Sequence, residues 1–229
     1  MIFVIMIAFA IISYAVSSRF KSKVKKYSQD SLQVGLSGKE IAEKMLRDHD
    51  IMDVQVTCTK GKLDDHYDPA KKTVNLSPAV YEGRSVISAA IAAHECGHAV
   101  QHAHAYSMLQ LRSALVPITK VSGTLMNIIV IGSLFFGYFL YSVFPIEAVL
   151  QIIVASYAFI TLFSFVTLPV EFDASKRAMA WLNDKGVVQS YESDKAQDAL
   201  KWAAMTYVVA ALASLVTLLY YASLLLGRD

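Results

Sequence analysis

The chain has 229 residues, of which 55% are hydrophobic and 17% charged, and its formal net charge is +2. A mean hydropathy of +0.43 is too apolar for an ordinary soluble domain. No basic patch with interleaved aromatics is present, which sets aside a nucleic-acid partner, and Cys58 and Cys96 have neither metal spacing nor a disulfide pattern.

Met1 to Val16 is almost wholly apolar. It lacks the cationic start of a signal peptide, and Arg19, Lys21, Lys23, Lys25 and Lys26 follow it. That order suits an uncleaved anchor with its amino terminus outside. Val121 to Phe144, Ala148 to Val170 and Ala203 to Leu226 each exceed the roughly 20 residues needed to cross about 30 Å of hydrocarbon. Cations stay in the cytoplasm, which orders the chain. Residues 1–18 form the first transmembrane helix and 19–114 a cytoplasmic region. Residues 115–170 form a hairpin of two spans, turning outside near Pro145 and Glu147. Residues 171–202 return to the cytoplasm with Lys176, Arg177, Lys185, Lys195 and Lys201, and 203–229 are the fourth span and tail. Arg228 alone opposes the bias.

The region after the first span carries local signals. Ser37-Gly38-Lys39-Glu40 is a capping box that opens a helix to about Asp48. Asp53 to Thr59 alternates, with Val54, Val56 and Cys58 on one side, and reads as a strand. Lys60-Gly61-Lys62 is a turn, Leu63 to Tyr67 a strand pairing back, and Lys72 to Ser77 a third strand after the Asp68-Pro69 break. The sheet is expected to be short and antiparallel. Asp64, Asp65, His66 and Asp68 lack calcium-loop spacing and read as a solvated turn.

His94-Glu95-Cys96-Gly97-His98 then reads H-E-x-x-H inside an apolar helical run, Val86 to Ala105, which is expected to continue through Leu109, Gln110 and Leu111 toward the second span. At about 100° per residue, His94 and His98 lie about 40° apart on one face, one turn of rise between them. Two imidazoles so placed can hold one zinc ion, and Glu95 borders the same face as a general base toward its water. Cys96 points away and reads as a small buried apolar residue.

A catalytic zinc usually takes a third protein ligand. His104 has the spacing of the last histidine in H-E-x-x-H-x-x-G-x-x-H, but Gln101 stands where that motif needs glycine. On a continuing helix His104 is about 15 Å along from His94, and His102 is also too far. Glu171, after Pro169 at the end of the third span, falls on the same side as the two histidines. A carboxylate at that boundary is costly unless it is paired or metal-bound. Both routes stand at this point, with Glu171 the better.

Four spans, a cytoplasmic H-E-x-x-H and a later E-F-x-A-x-x-R segment resemble the HtpX-like membrane zinc peptidases, and more closely the smaller YugP-type neutral zinc metallopeptidases. His66-Tyr67-Asp68-Pro69, Asn75-Leu76-Ser77, Ala92 through Gln101 and Leu168 through Ser175 carry the resemblance. It implies a membrane α+β fold: four transmembrane helices with a small cytoplasmic zincin-like domain. It implies Glu171 as the third ligand, as in gluzincins, and Thr73 to Ser77 as an edge strand above the cleft, where an extended peptide could add. HtpX-like proteins carry aspartate four residues after the ligand glutamate, where this chain has Ser175; Asp173 is the nearby substitute.

The expected function is that of an inner-membrane, multi-pass zinc endopeptidase with a cytoplasmic active site. His94, His98 and Glu171 would hold one catalytic Zn2+, and Glu95 would be the base. His66, Tyr67, Arg177 and Tyr106 are candidate oxyanion donors. The partners are the lipid bilayer and a protein or peptide substrate, membrane-associated or misfolded by fold-level analogy. Two other classes remain: a silent zinc-binding membrane scaffold, which has no need of Glu95, and a zinc hydrolase acting on a lipid or small amide. An edge strand beside an open cleft would favour peptide over lipid.

Overall fold

A computed structural model describes residues 2–61 and 64–227. It is mostly helical, with four helices long and apolar enough to cross a membrane and one small three-stranded sheet. The chain divides into two compact units: Met1–Tyr14, Leu111–Leu168 and Tyr207–Asp229 make one, Ala15–Gln110 and Pro169–Thr206 the other. The expected turn residue Lys62, the start of the expected second strand at Leu63 and the Arg228-Asp229 tail lie outside the described residues.

The first unit draws on four helices: α1 (Ile2–Tyr27), α5 (Ser107–Val143), α6 (Ile146–Asp184) and α7 (Ser190–Leu226). Their apolar side chains face outward in large numbers; Phe3, Ile7, Ile128, Leu134 and Leu219 are all exposed. Helices satisfy their own backbone, which hydrocarbon requires. Several hydroxyls in these runs bond back to the helix in the same way. Thr119 donates to the Leu115 carbonyl, Ser164 to Ile160, Thr167 to Phe163 and Thr217 to Ala213, so no water is needed to satisfy them. α5 contains Pro117 and a kink at Phe136, where φ is −131° and ψ 28°.

The second unit holds the polar region. α2 (Gly38–Asp48) begins at the predicted capping box: Ser37 Oγ accepts from Glu40 N at 3.3 Å, and Glu40 Oε2 accepts from Ser37 N at 2.7 Å. Its inner face, Ile41, Ala42 and Met45, is fully buried in the core with Val74, Leu76, Val86 and Leu182. Beside it lie β1 (Gln55–Cys58), β2 (His66–Asp68) and β3 (Thr73–Leu76), then the single turn α3 (Pro78–Tyr81).

The sheet corrects two expectations. Its order is β1-β3-β2, with β3 parallel to β1 and antiparallel to β2. The sheet is therefore mixed, and Thr73–Leu76 is its centre, not its edge. The reason is burial. Val74 and Leu76 are fully buried, whereas no residue of β1 or β2 is, so the most apolar strand takes the position paired on both sides. β2 is the edge strand nearest the metal-motif helix.

That helix, α4 (Val86–Ala103), opens at Ser85, whose hydroxyl accepts from Ser88 N, and is buried on nearly every side up to Gln101. Here too an expectation is corrected: α4 stops instead of running on to Leu111. Ala105 takes a left-handed φ of 50°. Tyr106 N then donates to Gln101 O at 2.9 Å and Ala105 N to His102 O at 3.0 Å. This is the paired closure that normally uses glycine at the left-handed position. With alanine there, the stop has no local signature.

Candidate metal centre

α4 presents His94 and His98 one turn apart, and α6 carries Glu171 past Pro169 without a break. The two helices approach at Gly97, where a Cβ would stand 2.6 Å from the Ala174 carbonyl oxygen. Only a residue without a side chain permits that spacing, and it brings Glu171 to the histidines. Glu171 Oε2 lies 3.3 Å from His94 Nε2 and 3.7 Å from His98 Nε2. The imidazole rings meet edge to face, 4.9 Å between centroids.

Among the described residues, His94, His98 and Glu171 form the one group whose ligand atoms could share a metal ion, all within 4.8 Å of one another. The donor set suits zinc. Two nitrogens and one carboxylate oxygen at bond lengths of about 2.0–2.2 Å sit about 3.3 Å apart on the edges of a tetrahedron, close to the nitrogen–oxygen distances of 3.3 and 3.7 Å. The side chain of Glu171 is 4% exposed, so its charge needs a cationic partner there. Burial alone would lower the pKa of His98, but the adjacent Glu171 carboxylate outweighs it and the net shift is upward. A metal would take over that role of compensating the carboxylate.

Each imidazole is also held from behind. Ser175 Oγ lies 3.1 Å from His94 Nδ1. His98 Nδ1 lies 3.0 Å from Gln101 Oε1. Gln101, fully buried, donates from Nε2 to the Val170 carbonyl and to Asp173 Oδ2, both at 2.8 Å. Arg177 Nε closes the chain on Asp173. In the sequence, Ser175 and Asp173 stand out beside the ligand glutamate, whereas Gln101 signals only a continuing helix. Its spacing of three from His98 places it on the same helix face.

Glu95 is 9% exposed, and its Oε2 accepts a hydrogen bond of 3.1 Å from Tyr67 N. The edge strand thus reaches the H-E-x-x-H helix through its backbone. The Tyr67 phenol bonds His102 Nδ1 at 2.8 Å, and burial, with Asp53 and Asp68 adding to it, pushes its pKa up to about 12.

The remaining candidates have other partners. His104 caps α4 and sits near Arg177, and Arg177 stacks over Tyr106. His66 is exposed, with Nδ1 3.0 Å from the Asp64 carbonyl. The acidic cluster is not the expected solvated turn: His66 and Asp68 lie in strand β2, Asp65 accepts from Ser77 N and Oγ, and Asp68 accepts from Ala70 N and Lys71 N. Cys96 is buried, its thiol against the Ala42 carbonyl, and burial pushes its pKa up.

The family model described as "Putative neutral zinc metallopeptidase" matches residues 2–226. The chain is 36% identical over 220 residues to "Putative membrane protease YugP" of Bacillus subtilis (strain 168), covering 95% of this chain and 94% of that one. No solved structure matches the chain.

Proposed function

The chain belongs to the neutral zinc metallopeptidase family, and from that premise we propose that it is a membrane-embedded zinc endopeptidase. The observation that carries the reading is the convergence of His94, His98 and a nearly buried Glu171 within 4.8 Å, with Glu95 on the same helix beside them. His94, His98 and Glu171 would hold a single zinc. When bound, zinc polarises the scissile carbonyl and makes water acidic enough to give up a proton near neutral pH. Glu95 takes that proton and delivers it to the leaving amine. The Tyr67 N–H keeps the Glu95 carboxylate oriented until substrate arrives.

An edge strand beside the base favours a peptide over a lipid. An extended chain can pair with β2, whereas a lipid tail has no use for a backbone edge. The substrate is a membrane-associated or misfolded protein, and the bilayer is the other partner. The protein resides in the cell's inner membrane. The cations Arg19 to Lys26 and Lys176 to Lys201 argue for a cytoplasmic catalytic region. An intact Glu95 weighs against a silent scaffold.

The test uses the full chain purified in detergent. Zinc content by mass spectrometry should be about one per chain in the wild type and in Glu95→Gln, and absent in a His94→Ala/His98→Ala variant. Cleavage of a dye-labelled unfolded protein should be lost in both variants. Full zinc occupancy in the double histidine variant would sink the site, and cleavage by Glu95→Gln would sink the mechanism.

A further inference from the structure

We infer that Gln101 is a positioning residue that fixes the tautomer of His98, so that Nε2 of this ring offers its lone pair to the metal. The inference rests on the reading of His94, His98 and Glu171 as zinc ligands.

A primary amide can sit either way round, and its partners decide which. Here both partners on one side are acceptors. The Val170 carbonyl and the Asp173 carboxylate each lie 2.8 Å from the same amide atom of Gln101. A carbonyl and an ionised carboxylate have no proton to give, so that atom is the NH2 group, and both of its hydrogens are used. The reverse orientation would set an oxygen against two oxygens in a fully buried position, where unpaired polar atoms are most costly. Oε1 therefore faces His98 Nδ1 at 3.0 Å. An amide oxygen only accepts, so Nδ1 carries the hydrogen and Nε2 is left bare. Arg177 Nε bonds Asp173 Oδ2 and holds that carboxylate in place as an acceptor. The direction of every bond in the series, from His98 to Gln101 to Asp173, is thus set from its far end.

His94 is held differently. The Ser175 hydroxyl, 3.1 Å from Nδ1, can donate or accept, so it orients the ring without choosing the tautomer. The two histidines are consequently unequal, and His98 is the one whose metal-binding form is built in. The network also ties α4 to α6, because Val170 and Asp173 flank Glu171 in sequence. The same amide that sets His98 therefore holds the segment carrying the carboxylate.

A merely structural glutamine would affect folding and leave the metal's surroundings alone, which separates the two roles. The readouts are zinc affinity by chelator competition and the visible spectrum of the cobalt-loaded full chain in detergent. Gln101→Leu should weaken zinc binding by about 10- to 100-fold and alter the cobalt bands. Ser175→Ala should cost less. Gln101→Glu should be as poor as Gln101→Leu, because its second oxygen would face Asp173 and the Val170 carbonyl. Adding Asp173→Asn to Gln101→Glu should recover part of the affinity, since the introduced amide at position 173 can donate to the second oxygen at position 101, which then opposes only the Val170 carbonyl, while the first oxygen still accepts from His98.

His98→Ala is the control. Loss of zinc there, with wild-type affinity and an unchanged cobalt spectrum in Gln101→Leu, overturns the positioning role alone. Retention of zinc in His98→Ala overturns the ligand reading and this inference with it. Where Gln101→Leu fails to accumulate, the paired variants decide: affinity in Gln101→Glu/Asp173→Asn no better than in Gln101→Glu overturns the inference.

Discussion

Gly97 of α4 and Ala174 of α6 approach so closely that a methyl on the glycine would stand 2.6 Å from the Ala174 carbonyl oxygen. Gly97 precedes His98 directly, and Ala174 follows Glu171 by less than one turn. Helix separation at this point therefore sets ligand separation. Gly97→Ala should push the helices apart, destabilise the protein by about 1–3 kcal/mol and weaken zinc binding about tenfold or more. Thermal unfolding of the metal-free protein and chelator competition measure the two effects separately. A variant that binds zinc as tightly as the wild type would show that the contact does not govern the site.

Glu171→Ala should reduce zinc affinity by more than the roughly 100-fold upper cost of losing an outer hydrogen-bond partner, and it should abolish cleavage. His104→Ala should leave zinc affinity within about twofold, as for an ordinary surface substitution. His104 caps α4 beside Arg177 and is absent from the group that converges on a metal. The pair is measured by chelator competition on both variants. Loss in His104→Ala with retention in Glu171→Ala would reverse the assignment.

Ala105 holds a left-handed φ of 50° to end α4. An L residue with a side chain is strained there by roughly 1–2 kcal/mol, a cost that glycine avoids. Ala105→Gly should therefore raise stability by about 1 kcal/mol without altering zinc content. Denaturant unfolding in detergent gives the number, and a destabilised variant would mean that the alanine methyl contributes packing that outweighs the strain.

The native cysteines report on topology. Cys58 is exposed and Cys96 buried, and Cys58 lies in the same unit as the histidines. If the catalytic region is cytoplasmic, a membrane-impermeant maleimide should leave intact cells unlabelled and label Cys58 alone once they are permeabilised. The substitutions Lys25→Cys and Lys185→Cys should behave like Cys58. Labelling of any of these from outside would overturn the orientation.

What could be read from the sequence by itself is what depends on neighbours in the chain. The spacing of His94 and His98 places two imidazoles on one face because a helix has a fixed period. The Ser37–Glu40 cap and the apolar runs are likewise local, and the four long apolar helices follow from length and composition alone. The tertiary structure decided the rest. β3 became the centre of a mixed sheet because Val74 and Leu76 bury most completely, a competition among strands that no strand's own pattern reveals. α4 ends at Ala103 through a left-handed alanine, which carries no glycine signal. Gln101 looks like any helical glutamine until Val170 and Asp173 arrive from another helix to orient its amide. Tyr67 meets Glu95 through its backbone, which has no sequence identity to read. Hydrogen-bond direction, strand order and helix approach are all set by groups distant along the chain, and only folding brings those groups within a few ångströms of one another.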